Sequence, residues 1–421
     1  MASLRSSALA SVFLNLLELS FVLGQQGKPT SLCAELIVPK GYPCDEIIVE
    51  TADGFLLGLQ HIPHGVAAPS GPAGPAVLLL HGLSAAQYIR NEASASLLFQ
   101  VVKFVSVDCS REVGDNFVVN DPKEDLALIL ADSGFDVYIG SNRNTQWSHG
   151  SSKYKPEEKA YWDWSLDELS SYDVPAFVDY VYNKTGGSKL FYVAHSQGTL
   201  TLYAGLSGGG PAAEQMKDKL RRAVFLAPSA YVTYLNAAIP AITFDVYADQ
   251  ILPILGVGPA DFNQILNIVC KISPPACSDF FLGYIGTNSY INDTRRPTYL
   301  KYFPQATSSY NINHFGQIRR SGKFQKYDRG AAENLKVYGQ KDPPLYDLSK
   351  YPSESFPQLF FIGGRDQVAN PRDAARLLSE LPSTGDREVV TLPDYGHEDF
   401  VFGQRSYIDV YPKIISFFRS K

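Results

Sequence analysis

Charge is scarce in this chain. Only 19 % of its 421 residues are Asp, Glu, Lys or Arg, and the formal net charge is −6. Lys and Arg are scattered along the sequence. Phosphate recognition needs a concentrated basic face, so nucleic acid is not an expected partner. Long low-complexity tracts are missing as well, and 45 % of the residues are apolar. That balance excludes wholesale disorder and supplies a sizeable core. After the N-terminus there is no stretch of 18 uninterrupted apolar residues, so no membrane span is expected in the mature chain. Nothing has metal-ligand spacing, and no metal or other cofactor is expected. Nothing in the sequence specifies an oligomeric state.

What is present begins with an address. Arg5 precedes an apolar stretch from Ala8 to Gly24, interrupted by Glu18. Val22 and Gly24 stand at −3 and −1 of a cleavage point before Gln25, so residues 1–24 read as a secretory signal peptide. The five cysteines fit an oxidising compartment. Cys33 with Cys44, and Cys270 with Cys277, could each close a short loop, leaving Cys109 unpaired. Two glycosylation sequons, at Asn183 and Asn292, point the same way.

Length and rhythm suggest one large domain carrying an insertion. Buried-strand runs are read at Ala76–Leu80, Phe135–Gly140, Lys189–Ala194, Ala223–Leu226, Gln358–Ile362 and Glu388–Leu392. Helical patterns fall between them. Ser165-x-x-Glu168 is a capping box, Asn370-Pro371 opens Arg372–Leu381, and Tyr407–Phe418 closes the chain. Alternating strands and helices predict an α/β fold with a mostly parallel sheet covered on both faces. The rhythm breaks between Ser207 and about Leu345, where Gly208-Gly209-Gly210-Pro211 leads into aromatic-rich segments such as Phe280-Phe281-Leu282. The expected organisation is a core in two parts, 25–207 and 346–421, with 208–345 as a strand followed by an inserted cap.

Ala194-His195-Ser196-Gln197-Gly198 follows a strand run and precedes a helical one. Strand, small-x-Ser-x-small, helix is the nucleophile elbow of α/β-hydrolases, a tight turn that exposes the serine hydroxyl. A serine hydroxyl needs a base. Only His314 and His397 follow Ser196, and His397 lies between the last strand and the last helix, where this fold keeps its base. Asp366, after the strand run and glycines of Phe360–Gly364, is placed to hold that imidazole. His195 reads as structural, and Asp394 and Asp399 are set aside as partners of His397 because near neighbours on a loop rarely fold back onto the same ring. The expected oxyanion donors are the backbone N–H groups of Gln197 and of Leu83, the latter in His81-Gly82-Leu83 after the first strand run.

Together these residues resemble the acid lipase family, the gastric and lysosomal lipases and their plant relatives. Leu126–Gly140, Tyr161–Ala176 and Ser321–Asp328 carry the likeness beyond the triad, which extends from about Cys33 onward. The Cys33/Cys44 spacing looks most like plant members. The resemblance implies an α/β-hydrolase with a cap over a deep hydrophobic site. It further implies long-chain glycerol or sterol esters as substrates, met at a lipid–water interface. By it, Ser196, Asp366 and His397 form the triad, Leu83 and Gln197 the oxyanion pair, and Cys270 with Cys277 a cap disulfide. It also marks two departures. Residues from about Ser84 to Val113 are extra, since Gly114-Asp115-Asn116-Phe117 resumes the family pattern. Asn144 stands where the family's Asn-x-Arg motif is followed by glycine. The extra segment adjoins Leu83 and is expected to hinder catalysis, whether it is a genuine loop or an imperfect gene model. Three functions follow from this: a secreted long-chain lipase, a short-chain carboxylesterase, and a catalytically silent lipid-binding protein with a spoiled oxyanion hole.

Overall fold

A computed structural model describes residues 31–67, 74–83, 116–145, 147–148, 150–254, 279, 282–296, 298–299 and 307–420. The signal-peptide reading, the extra segment from Ser84 to Val113, Cys109, Cys270 and Cys277 lie outside the described residues.

Eight strands form one sheet: β1 Asp45–Glu50, β2 Leu56–Ile62, β3 Ala76–Leu80, β4 Asp136–Gly140, β5 Leu190–His195, β6 Leu220–Leu226, β7 Gln358–Gly363 and β8 Arg387–Leu392. Their order is β1-β2-β4-β3-β5-β6-β7-β8. From β4 to β8 every neighbouring pair is parallel, and β2 alone runs against the rest. Sequence reading finds the six parallel strands and misses the β1–β2 hairpin. The reason is compositional. β1 sits at the sheet edge and leaves most of its residues open, and β2 is interrupted by Gly58, Gln60 and His61. Neither is the continuous apolar run that a strand buried on both faces requires.

The central strands are buried on both faces because helices cover both. In β3, Leu78 and Leu80 point into a cluster with Trp164, Phe177, Val178 and Phe225. Val77 and Leu79 point the other way, into a cluster with Phe117, Leu128, Phe400 and Phe418. This is the period-2 alternation of a strand, used twice over. The capping box at Ser165 forms as drawn from sequence, with Ser165 and Glu168 satisfying one another's backbone N–H groups. Asn370 caps the helix Pro371–Glu380 by accepting from the Arg372 N–H. The last helical stretch divides at Val410 into Ser406–Asp409 and Tyr411–Arg419.

The chain leaves the sheet after β6 and returns at β7. That excursion carries the helices Ala238–Asp245, Ala248–Ile254, Ser309–Ser321 and Ala331–Tyr338. At the start of the described chain, Cys33 and Cys44 are disulfide-bonded with Cα atoms 5.4 Å apart. Asn183 is exposed at the end of the helix Val174–Lys184. Asn292 is half-buried and accepts from the Thr294 N–H. Among the described residues, no helix is long and apolar enough to cross a membrane.

Candidate active site

The strand order reverses between β3 and β5, since β4 lies on one side of β3 and β5 on the other. In open α/β sheets, ligands bind beyond the carboxyl ends of strands at such a switch point. Ser196 follows β5 there, and His81-Gly82-Leu83 follows β3.

Ser196 has φ 52° and ψ −121°, a conformation costly for a side chain, on the order of 1–3 kcal/mol. The surroundings hold it. Its N–H donates to the Leu226 carbonyl of β6, and its carbonyl accepts from the N–H and hydroxyl of Thr199. Gly198 lets the following helix pass close to β3, because a Cβ there would lie 2.6 Å from the Leu80 carbonyl oxygen. Gly82 is equally constrained: a Cβ would stand 2.9 Å from Ser196 Cβ. The Gly82–Leu83 peptide therefore lies against the nucleophile candidate.

His397 brings its Nε2 to 2.8 Å from Ser196 Oγ. Its Nδ1 lies 2.9 Å from Asp366 Oδ2 and 3.1 Å from Oδ1. Asp366 Oδ1 also accepts the N–H groups of Val368 and Ala369, each at 2.8 Å, which aims the carboxylate. All three side chains are buried. The other histidine after Ser196, His314, is buried and bonded to the Gln325 carbonyl instead.

Two family models match the chain. One, the alpha/beta hydrolase fold, covers residues 75–404. The other, a partial alpha/beta-hydrolase lipase region, covers residues 33–92. Triacylglycerol lipase 1 of Arabidopsis thaliana is 35 % identical over 94 % of this chain and 92 % of its own. Lipase member K of Homo sapiens is 32 % identical over 91 % of this chain and 89 % of its own. Gastric triacylglycerol lipase of Mus musculus is 32 % identical over 91 % of this chain and 90 % of its own. The chain belongs to the lipase family of α/β-hydrolases. As a lipase-family member it is a serine ester hydrolase.

Several contacts around the site of this lipase-family chain escaped sequence reasoning. The His81 Nδ1–H donates to the Gly82 carbonyl at 2.8 Å, and its Nε2 accepts the Asn142 N–H at 3.0 Å. The Gly82 carbonyl and the Leu83 N–H belong to one planar peptide unit. The imidazole thus sets the direction of the N–H that sequence reading singles out. Burial holds His81 down to about 4, so it stays neutral and keeps both bonds. The Asn142 end is anchored in turn by Arg143. Its guanidinium is fully buried, pairs with Asp173 and Asp53, and lies 4.0 Å over the Phe55 ring. Asn144 follows with φ 61°, the left-handed backbone in which Gly and Asn are the readiest residues. Gln197 sits at the helix N-terminus, where first-turn N–H groups lack helical partners. Its side-chain amide donates to Asn311 Oδ1 on the helix Ser309–Ser321.

His195 is buried and donates from Nε2 to the His397 carbonyl, bracing the His397 backbone from behind. Asp399 accepts the N–H groups of Gly396, Ser289 and Tyr290 and so pins the loop of His397. Asp394 pairs with Arg365 at the surface. Neither aspartate bonds the imidazole.

Burial would lower the His397 pKa, but the Asp366 carboxylate, its hydrogen bond and then Glu398 outweigh that and raise it. Among the described residues, the one trio that could converge on a metal ion is His195, His397 and Glu398. Both ring nitrogens of His397 are already committed to Asp366 and Ser196, so a cation there would dismantle the hydrogen-bonded chain.

Proposed function

We propose that this enzyme is a secreted lipase that cleaves carboxylic esters of long-chain fatty acids, triacylglycerols or steryl esters, with Ser196 as nucleophile. The observation that carries the reading is the continuous hydrogen-bonded path from Ser196 Oγ through His397 to Asp366.

His397 Nε2 takes the proton as Ser196 Oγ attacks the ester carbonyl. Asp366 keeps Nδ1 protonated and stabilises the imidazolium. The tetrahedral oxyanion is met by the N–H groups of Leu83 and Gln197. His397 then protonates the departing alcohol, and the acyl chain stays on Ser196. A water activated by the same imidazole releases the fatty acid and restores the serine. The disulfide between Cys33 and Cys44, the apolar N-terminus and the sequons support secretion. The choice of triacylglycerols is supported by the relatives' names, and the long-chain preference by the aromatic-rich excursion between β6 and β7.

The test has two arms. A fluorophosphonate should label Ser196 stoichiometrically and silence the enzyme, with mapping by mass spectrometry. Across nitrophenyl esters of rising acyl length, kcat/KM should climb toward long chains. A maximum at two to four carbons would make the protein a short-chain esterase. Absence of both labelling and turnover in folded protein would leave a lipid-binding protein.

A further inference from the structure

Glu398 directly follows the base and has no task in the reaction just described. Its side chain is 4 % exposed, and among the described residues its Oε2 finds no hydrogen-bond partner. The backbone fixes its place, because Asn288 Oδ1 accepts the N–H groups of both Glu398 and Asp399. Its carboxyl shares a cluster with His195 and His397 in which the ligating atoms lie within 4.8 Å of one another.

The groups around it come from four places. His397 and Asp399 flank it, Asp366 follows β7, His195 ends β5, and Tyr284 faces it from residues 282–285. The other two carboxylates are well provided for. Asp366 holds His397 and two N–H groups, and Asp399 holds three N–H groups. His195 Nδ1, like Glu398 Oε2, lacks a partner among the described residues. The buried imidazole therefore has one carboxylate bonded to it and a second carboxyl nearby whose Oε2 has no hydrogen-bond partner among the described residues.

We propose that Glu398 sets the pH at which His397 becomes a competent base, although it touches neither the nucleophile nor the ester. The inference rests on the reading of Ser196 and His397 as nucleophile and base. A carboxylate beside an imidazole favours the imidazolium, and an uncharged carboxyl does not. Burial pushes Glu398 up to about 7, with His397 pulling it down and Asp366 and Asp399 pushing it further up. Glu398 thus changes charge near neutral pH, beside an imidazole that must lose its proton to act. The two groups titrate as a pair, and the acid limb of activity belongs to the pair. With Glu398 charged, His397 holds its proton to higher pH and the limb lies higher. A side chain that cannot ionise at this position moves the limb down.

The experiment is the pH profile of kcat/KM for the full secreted chain on a soluble butyrate ester, each profile scaled to its own plateau. Glu398→Gln keeps the shape and removes the charge. Its acid midpoint should fall by about one pH unit, so that activity relative to plateau rises about tenfold well down the limb. Glu398→Leu, which leaves no buried amide to satisfy, should shift it the same way. Glu398→Asp retains an ionisable group and should shift it less. Midpoints of the Gln and Leu variants that superimpose on the parent would overturn the proposal while leaving the nucleophile reading intact. Ser196→Ala, run alongside, separates the two: retained turnover there would bring down the nucleophile reading and this proposal with it.

Discussion

His81 holds the carbonyl of Gly82, 2.8 Å from Nδ1 to oxygen, and through that peptide aims the N–H of Leu83. The imidazole does not face the ester in the proposed reaction, so its loss should misdirect a donor without removing nucleophile or base. Complete loss of one oxyanion donor costs roughly 10²–10³ in kcat. His81→Ala is expected to lower kcat by about ten- to a hundredfold, with a smaller change in KM, because the bond strengthens as the oxyanion forms. Steady-state kinetics on a soluble ester, with melting temperature as the folding control, decide it. An unchanged kcat would remove His81 from the account.

Arg143 tests the other end of the same chain of contacts. The guanidinium meets Asp53 through Nη1 and Nη2, meets Asp173 through Nε and Nη2, and stacks on Phe55. An ammonium cannot fill two carboxylate forks and cover a ring at once. Leaving the buried Asp173 carboxylate badly paired costs about 3 kcal/mol or more, and half-buried Asp53 adds little to it. Arg143→Lys should therefore lower stability by about 3 kcal/mol in urea unfolding, and a change under 1 kcal/mol would contradict the geometry.

Asn144 marks a backbone requirement. At φ 61°, a residue with a Cβ and no compensating side chain costs about 1–2 kcal/mol. Asn144 offsets part of that by donating to the Tyr161 carbonyl, although its Oδ1 stays without a partner among the described residues. Glycine is free of the strain but loses the bond and adds freedom to the unfolded chain. Asn144→Gly should be close to neutral, and Asn144→Ala should destabilise by about 1–2 kcal/mol. Thermal unfolding of the two variants gives the order. Equal stability of the two would show that the side-chain bond, not the backbone, governs the position.

Glu398 also makes a prediction about stability. Its carboxyl is raised from the usual carboxylate range to about 7 by burial. A group raised on folding costs nothing while protonated in both states. The cost begins as pH rises past the unfolded value and is complete above the folded one. One pH unit corresponds to about 1.4 kcal/mol, so the full cost is about 3 kcal/mol. Relative to the parent, Glu398→Gln should gain stability steadily from about pH 4.5 to 7 and no further. The constant cost of a buried amide shifts the whole curve without changing its slope. A stability difference flat across that window, in denaturant titrations at several pH values, would show that Glu398 is not held neutral.

By itself the sequence determined what local spacing and burial encode. Five of the six parallel strands were legible because strands covered on both faces carry apolar runs, and the partly exposed edge strand β8 was legible from Val389-Val390. Ser196 was legible because an elbow needs a small residue where the helix passes the neighbouring strand, and Gly198 lies against the Leu80 carbonyl. His397 and Asp366 were legible as candidates because this fold sets the chain order of serine, acid and histidine. The tertiary structure alone decided the rest. The β1–β2 hairpin depends on pairing with β4, some eighty residues later in the chain, for polar residues that no run announces. Arg143 meets Asp53 and Asp173 from separations of 90 and 30 residues. His81 shows its purpose only when the Asn142 N–H arrives at its Nε2. Glu398 reads as one more charged loop residue until burial removes its water. Each of these rests on desolvation and long-range hydrogen bonding, which depend on what the folded chain brings close and not on what stands next in sequence.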